Sequence, residues 1–273
     1  VPAAETGETF NLNADTYKPT GYDDTKYLFR GWTETPDGEA MYTTAYAPTE
    51  SKTLYAKWVP LYDDTYGELL VFDDFQKKNI GTNIVNWGVD YVKFERAKND
   101  QGQDIQPAFG SDNNSTAVVT DVNGNKMAKV TRSGTNQTMS IFLVNMRQVT
   151  DAAIADPNAI YTALADFYVP GSEDPKFTEL RVSIGNGYTH DTSGGGKRAF
   201  SSATDTDKVI TKFASLHGFN SNASSTNKVH LVYFLDNTPS GVTVTDVENF
   251  SYYIDNIRIY KLDVANVTFD ANG

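Results

Sequence analysis

Rings and planar polar groups recur through residues 61–264 at positions that a strand pattern turns away from apolar neighbours. Those are the groups that hold a saccharide, since rings cover the apolar face of a pyranose while amide, guanidinium and imidazole groups meet its hydroxyls. Trp87, within Asn83-Ile84-Val85-Asn86-Trp87-Gly88-Val89-Asp90-Tyr91, is flanked by Asn86, Gly88 and Asp90 rather than by a core run, which predicts a surface ring with Tyr91 beside it. In Leu180-Arg181-Val182-Ser183-Ile184 a period of two sets Arg181 opposite the apolar residues, and Val229-His230-Leu231 does the same for His230. Asp166 and Tyr168 share a face opposite Phe167. A groove lined by Arg181, His230, Tyr168 and Asp166 is one expectation; an ordinary solvated sheet face satisfies the same alternation. Tyr188 and His190 open a loop that runs into Ser193-Gly194-Gly195-Gly196-Lys197, suited to a lid over a ligand or to a plain insertion. That glycine run lacks the Gly-Lys-Ser/Thr ending and the following helix of a phosphate cradle.

Catalytic patterns are scarcer. His190, His217 and His230 show no metal-ligand spacing, and no Gly-x-Ser-x-Gly elbow occurs. Residues 61–264 hold five glutamates (Glu68, Glu95, Glu173, Glu179 and Glu248), none paired two apart on a strand as a glycoside-cleaving groove on a sheet requires. Twenty aspartates leave a carboxylate pair assembled in space as the remaining enzymatic route.

The whole chain narrows the partners. It carries 35 acidic against 23 basic residues, a formal charge of −12, which disfavours nucleic acid and anionic lipid. The absence of cysteine removes thiol catalysis, disulfides and thiolate metal sites. No apolar run approaches the roughly 20 residues that span a bilayer, so membrane insertion is not expected, and the opening VPAAETGE has no signal-peptide pattern. With 15 Phe, 16 Tyr and 3 Trp the chain can fill a core and keep rings for a surface.

Three segments position these residues. Thr9–Asn13, Leu28–Trp32 and Lys52–Trp58 read as the strands of a small unit, residues 1–60, in which Trp32 and Trp58 are core rings. Residues 61–264 carry short alternating or apolar runs: Glu68–Phe75, Ala117–Thr120, Lys126–Thr131, Met139–Asn145, Ile160–Val169, Leu180–Gly185, Lys228–Leu235 and Tyr252–Leu262. Turn residues separate them, which predicts a β-sandwich or jelly roll. Asn123-Gly124 marks a hairpin; Asp121–Asn125 has the look of a calcium loop but lacks the downstream glutamate and serves fully as a turn. Gln148–Ala159 and Lys208–Leu216 are the two stretches expected to carry helical turns, and Ala97–Asn114 and Asn186–Ser202 the long connections. Thr268–Asn272 repeats the pattern of Thr9–Asn13 at an offset of 259 residues, so residues 265–273 read as the first strand of a following repeat and the chain as part of a longer one.

Two resemblances extend this reading. GYDDTKYLFRGWTETPDGEAMY followed by TLYAKW resembles the Listeria–Bacteroides repeat of internalin-type surface proteins over residues 8–58. It implies a small β-grasp-like fold in an exported, multidomain bacterial protein, extracellular by secretion or wall attachment, with neighbouring domains of the same polypeptide as partners. Leu70-Val71-Phe72-Asp73-Asp74-Phe75 and Tyr252-Tyr253-Ile254-Asp255-Asn256-Ile257 resemble the first and last strands of jelly-roll carbohydrate-binding modules. That resemblance implies that the two ends lie side by side, that Asp73, Asp74 and Asp255 are candidate ligands of a structural Ca²⁺, and that the module binds polysaccharide without cleaving it. Trp87, Tyr91, Tyr168, Arg181, Tyr188, His190 and His230 are then the candidate contacts, with starch-like α-glucan and xylan as the expected ligands. A structural or adhesive spacer that binds proteins is the alternative, and a glycoside hydrolase the third.

Overall fold

The computed structural model describes residues 10–12, 22–38, 45–93, 101, 108–111, 115–132, 141–145, 159–173, 179–185, 197–199, 202–217, 231–237 and 251–264. Strands β1 (Phe10–Asn11) and β3 (Ala45–Tyr46) pair with each other, as do β2 (Tyr27–Thr33) and β4 (Tyr55–Pro60). Leu12, Phe29, Trp32 and Tyr46 are buried between them, with Tyr22, Leu54, Ala56 and Trp58 packed around. Phe29 lies 5.5 Å from Trp32 and 5.1 Å from Trp58, and Tyr22 stacks on Trp58 at 5.0 Å, so Trp32 is a core ring as the sequence predicts and Trp58 a half-buried ring packed against that core. Phe29 faces Trp58 and Gly31 faces Lys57, leaving Arg30 as the extra residue of a bulge. Gly31 adopts φ 142°, a backbone state that side-chain-bearing residues avoid.

The remaining strands form two antiparallel sheets. The larger contains β5 (Tyr62–Asp63), β6 (Gly67–Asp73), β7 (Tyr91–Val92), β9 (Ser115–Val122), β10 (Asn125–Arg132), β12 (Ala159–Tyr168), β15 (Val209–His217) and β17 (Ser251–Asp263). The smaller contains β8 (Ala108–Ser111), β11 (Ile141–Asn145), β13 (Glu179–Gly185), β14 (Lys197–Ala199) and β16 (Leu231–Asn237). Their facing side chains make one core: Tyr161, Ala163, Ala165 and Phe167 of β12 and Tyr252, Ile254, Ile257 and Ile259 of β17 meet Phe109, Leu180 and Val182 from the other sheet. This is the expected all-β sandwich. Asn123 (φ 55°) and Gly124 (φ 87°) form the tight turn between β9 and β10, and Gly124 N–H donates to Asp121 at 3.1 Å; the segment is a turn. No helix among the described residues is long and apolar enough to cross a membrane.

One element is corrected. Residues 209–217 are strand β15, not a helical turn, because Val209, Thr211, Phe213 and Ser215 alternate with Ile210 and pair in unbroken register with β12 from Tyr168↔Val209 to Ile160↔His217. The long connections are also shorter than predicted, since β8 and β14 lie within them. Of the other expected helical stretch, Ala159 opens β12 and residues 148–158 lie outside the described residues, as do 265–273.

The outer face of the larger sheet is not uniformly open. Leu69, Phe72, Leu164 and Tyr260 form a second buried cluster, sealed by Leu28 and Val59 of the N-terminal strands together with Leu61, Tyr66 and Tyr91. Leu61 stitches the junction, donating N–H to Lys26 at 2.8 Å and accepting from Leu69 at 3.0 Å. The N-terminal unit is therefore docked on the sandwich through apolar side chains as well as through its connection.

Candidate functional site

The long strand β17 changes partner along one flank. It pairs with β10 up to Ile254, opposite Ala128, and with β6 from Ile257, opposite Asp73. The first and last strands of the sandwich do lie side by side, and the gap between β10 and β6 is filled by polar side chains. Arg30 enters it from the N-terminal unit, donating through Nε to Asp74 Oδ2 at 2.9 Å and through Nη2 to Asp74 Oδ1, while its guanidinium lies 4.6 Å from the Phe72 ring. Lys78 Nζ donates to Asp73 at 2.5 Å and to Asp90 at 2.9 Å. Asp73 also accepts the N–H groups of Phe75 (2.8 Å) and Asp90 (3.0 Å), and Lys126 donates to the carbonyls of Gln76 and Lys78. Arg30, Asp73, Asp74 and Lys78 are all buried.

These charges interact in a dry environment. Burial, followed by the neighbouring Asp90 charge, pushes the Asp73 carboxyl from its ordinary 3.8 to about 6. Asp255, buried and accepting from Asn125 Nδ2 (2.9 Å) and its neighbour's N–H (2.7 Å), is raised well above the usual aspartate range by burial and then by Asp74.

The expected set Asp73, Asp74 and Asp255 does not assemble as one ligand group. Oxygens of Asp73, Asp74 and Asp90 lie within 4.8 Å of one another, whereas Asp255 faces Asn125 on the β10 side of the gap. The three clustered carboxylates are a poor fit for Ca²⁺, which needs about six to eight free oxygen ligands. Here a guanidinium and an ammonium already pair with the three carboxylates and offset most of their charge. What the arrangement does chemically is join β6, β17, the Asp90 loop and the N-terminal unit.

A different constellation lies on the open part of the larger sheet's outer face. Tyr168 and Tyr253 face each other across β12 and β17, their rings 6.0 Å apart and edge-to-face. Lys129 caps the Tyr253 ring at 5.4 Å. Tyr253 is buried, so Tyr168 is the ring of the pair that reaches solvent. Its phenol interacts with Asp207, and burial followed by the Asp207 charge pushes its pKa up. Four residues along β12, Leu164 pairs with Phe213, whose ring is 41% exposed. Strand geometry sets Tyr168 and Phe213 about 14 Å apart. Between them Asp166 accepts from Thr211 Oγ1 (2.6 Å), Asn256 Nδ2 (3.0 Å) and Arg258 Nη2 (3.1 Å). A bulge makes this possible: β17 places two residues opposite one of β12 between Leu164 and Asp166, with Asn256 at φ 47°. The result is a strip on one sheet face with a ring at each end and hydrogen-bonding groups between.

The other sequence-predicted contacts scatter. Trp87 is 49% exposed, as expected, in a loop fastened by Trp87 N–H to Ile84 and Phe109 N–H to Trp87. Tyr91 is half-buried beside the docked N-terminal unit and does not extend a surface with Trp87. Asp166 and Tyr168 do share a face opposite buried Phe167, but the four-residue groove is corrected, because Arg181 belongs to a strand of the smaller sheet. Tyr188, His190 and His230 lie outside the described residues. Sequence reasoning missed Arg30, Lys78, Asp90, Asn125, Tyr253, Phe213, Asn256 and Arg258. The alternation Val209, Thr211, Phe213 was the available signal for the exposed ring.

No known protein family matches the chain, and no curated protein matches it. Among solved structures it is similar to the xylan-binding domain CBM22-2 of Paenibacillus barcinonensis Xyn10C, at 18% identity and a TM-score of 0.37, over 62% of this chain and 99% of that one. It is also similar to the CBM22-1 xylan-binding domain of the same protein, at 12% identity and 0.38, over 68% and 99%. Similarity to an arabinose-bound MgGH51 α-L-arabinofuranosidase is 10% identity and 0.40, over 70% of this chain and 32% of that one.

Proposed function

We propose that the outer face of the larger sheet binds a glycan without cleaving it, with Tyr168 and Phe213 as stacking platforms and Asn256, Arg258 and Thr211 as the polar groups between them. The observation that carries this is their placement: two solvent-reaching rings on one face, separated by a network whose members hold each other in fixed orientations around Asp166. Rigid rings beside pre-oriented donors suit a ligand that is flat, apolar on its ring faces and rich in hydroxyls. Non-catalytic binding is favoured because Asp166 already accepts three hydrogen bonds and the buried aspartates near the N-terminal unit are held by Lys78 and Arg30. The N-terminal unit is read as a repeat of the Listeria–Bacteroides type and the protein as one that works outside a bacterial cell, where polysaccharide is available. Xylan and α-glucan are the ligands to try first. Affinity electrophoresis on xylan, starch, mannan and β-glucan tests the reading. Retardation on one of these gels, lost in Tyr168→Ala and Phe213→Ser, is the expected result; unretarded migration on all four overturns it.

A second reading has its own support. The buried Arg30–Asp74 pair and the sealed apolar cluster hold the N-terminal unit in a fixed place, as a rigid spacer requires.

A further inference from the structure

The buried cluster and the strip are physically continuous. Arg30 holds Asp74 through two parallel N–H donors, and Gln76 N–H donates to the same carboxylate at 3.2 Å. Gln76 Nε2 donates to Asn125 Oδ1 at 2.6 Å, and Asn125 Nδ2 to Asp255 Oδ2 at 2.9 Å. The other Asp255 oxygen accepts the Asn256 N–H at 2.7 Å, and Asn256 Nδ2 donates to Asp166 at 3.0 Å. Asp74, Gln76, Asn125 and Asp255 are all buried, so water cannot substitute for a lost member without opening the structure. The chemistry also gives the chain one sense. Asn125 must aim its amino group at the Asp255 carboxyl and its carbonyl at Gln76, and Asn256, held at φ 47°, must turn its amide toward Asp166.

We propose that Arg30 of the N-terminal unit is a positioning residue for the strip: by fixing Asp74 it sets, through Gln76, Asn125 and Asp255, the orientation of Asn256 and hence of the Asp166 network. The N-terminal unit is thereby part of the binding module rather than an independent neighbour. This rests on reading the strip as the glycan site for its functional consequence, but the relay itself can be tested without a ligand.

The test records the backbone and side-chain amide signals of Asn256 by ¹⁵N NMR in the full chain, alongside gel retardation on xylan and starch. Arg30→Lys keeps the charge but loses the two-pronged hold, and Asn125→Ala breaks the relay midway. Val119→Ala, a core truncation with no member of the relay, controls for general loosening. Displaced Asn256 signals in the first two variants but not in the third, with retention roughly threefold weaker, support the proposal. Unmoved signals in both relay variants, or an equal displacement in Val119→Ala, overturn it. Displaced signals in a protein that no glycan retards leave the relay standing and remove the glycan reading.

Discussion

Two polar clusters flank strand β17 and differ in what surrounds them. In the first, Arg30 of the N-terminal unit, Lys78, Asp73, Asp74 and Asp90 bring opposite charges into contact, all of them buried or nearly so. In the second, Asp166, Arg258, Asn256 and Thr211 use the same kinds of group but lie between rings that reach solvent. Charge density alone therefore does not mark function in this protein. The cluster richest in carboxylates has them paired with buried cations, and the one with a single carboxylate lies between rings that reach solvent.

The sharpest way to break that contrast is to remove Arg30. Arg30→Ala leaves Asp74 buried without its counterion and is expected to cost on the order of 3–5 kcal/mol in denaturant unfolding. Arg30→Met combined with Asp74→Leu should recover most of it, because the penalty comes from the orphaned charge. If Arg30→Ala unfolds like the parent chain, the buried cluster is not what holds the two units together. On the open side the corresponding change is Tyr168→Ala, expected to weaken glycan retention about tenfold while circular dichroism stays unchanged.

Acidity separates the clusters as well. Asp73 and Asp255 carry raised pKa values in the folded protein, so the folded chain keeps protons that the unfolded chain releases above about 4. Stability from these groups is thus greatest at low pH and declines as pH rises through about 6. Thermal melts should accordingly show a midpoint a few degrees higher at pH 5 than at pH 7.5, and Asp255→Asn should flatten the difference. A midpoint that climbs steadily from pH 5 to 7.5 would contradict the buried, proton-holding state. The smallest effects belong to calcium and to Trp87. Chelator is expected to leave the melting midpoint where it was, since ammonium and guanidinium groups already pair with the aspartates. Trp87→Ala should change stability by less than about 0.5 kcal/mol, as a half-exposed loop ring does.

Much of the scaffold could be read from the residues. Strands such as Ile160–Val169 and Tyr252–Leu262 declare themselves by alternation, and Asn123-Gly124 marks its hairpin. The pairing of β6 with β17 followed from their resemblance to terminal jelly-roll strands. The site was less legible for three physical reasons. Arg30 is a bulged residue in another unit, and nothing local says that it crosses 44 positions to meet Asp74. Asn256 acquires its role from a second bulge that no periodicity encodes. Phe213 was hidden by a helical reading of Lys208–Leu216, although its alternation with half-buried Ile210 favours a strand. Tyr168 and Asp166 were found because a simple period of two governs β12 without interruption on that side.

The claim that the open strip holds a saccharide is tested most directly by titrating ¹⁵N-labelled protein with xylo- and malto-oligosaccharides and locating the amides that move. Shifts from one of the two sugars confined to Tyr168, Asn256, Arg258 and the Thr211–Phe213 segment are the expected outcome. Shifts that gather instead around Trp87, or spectra that neither sugar alters at millimolar concentration, contradict it.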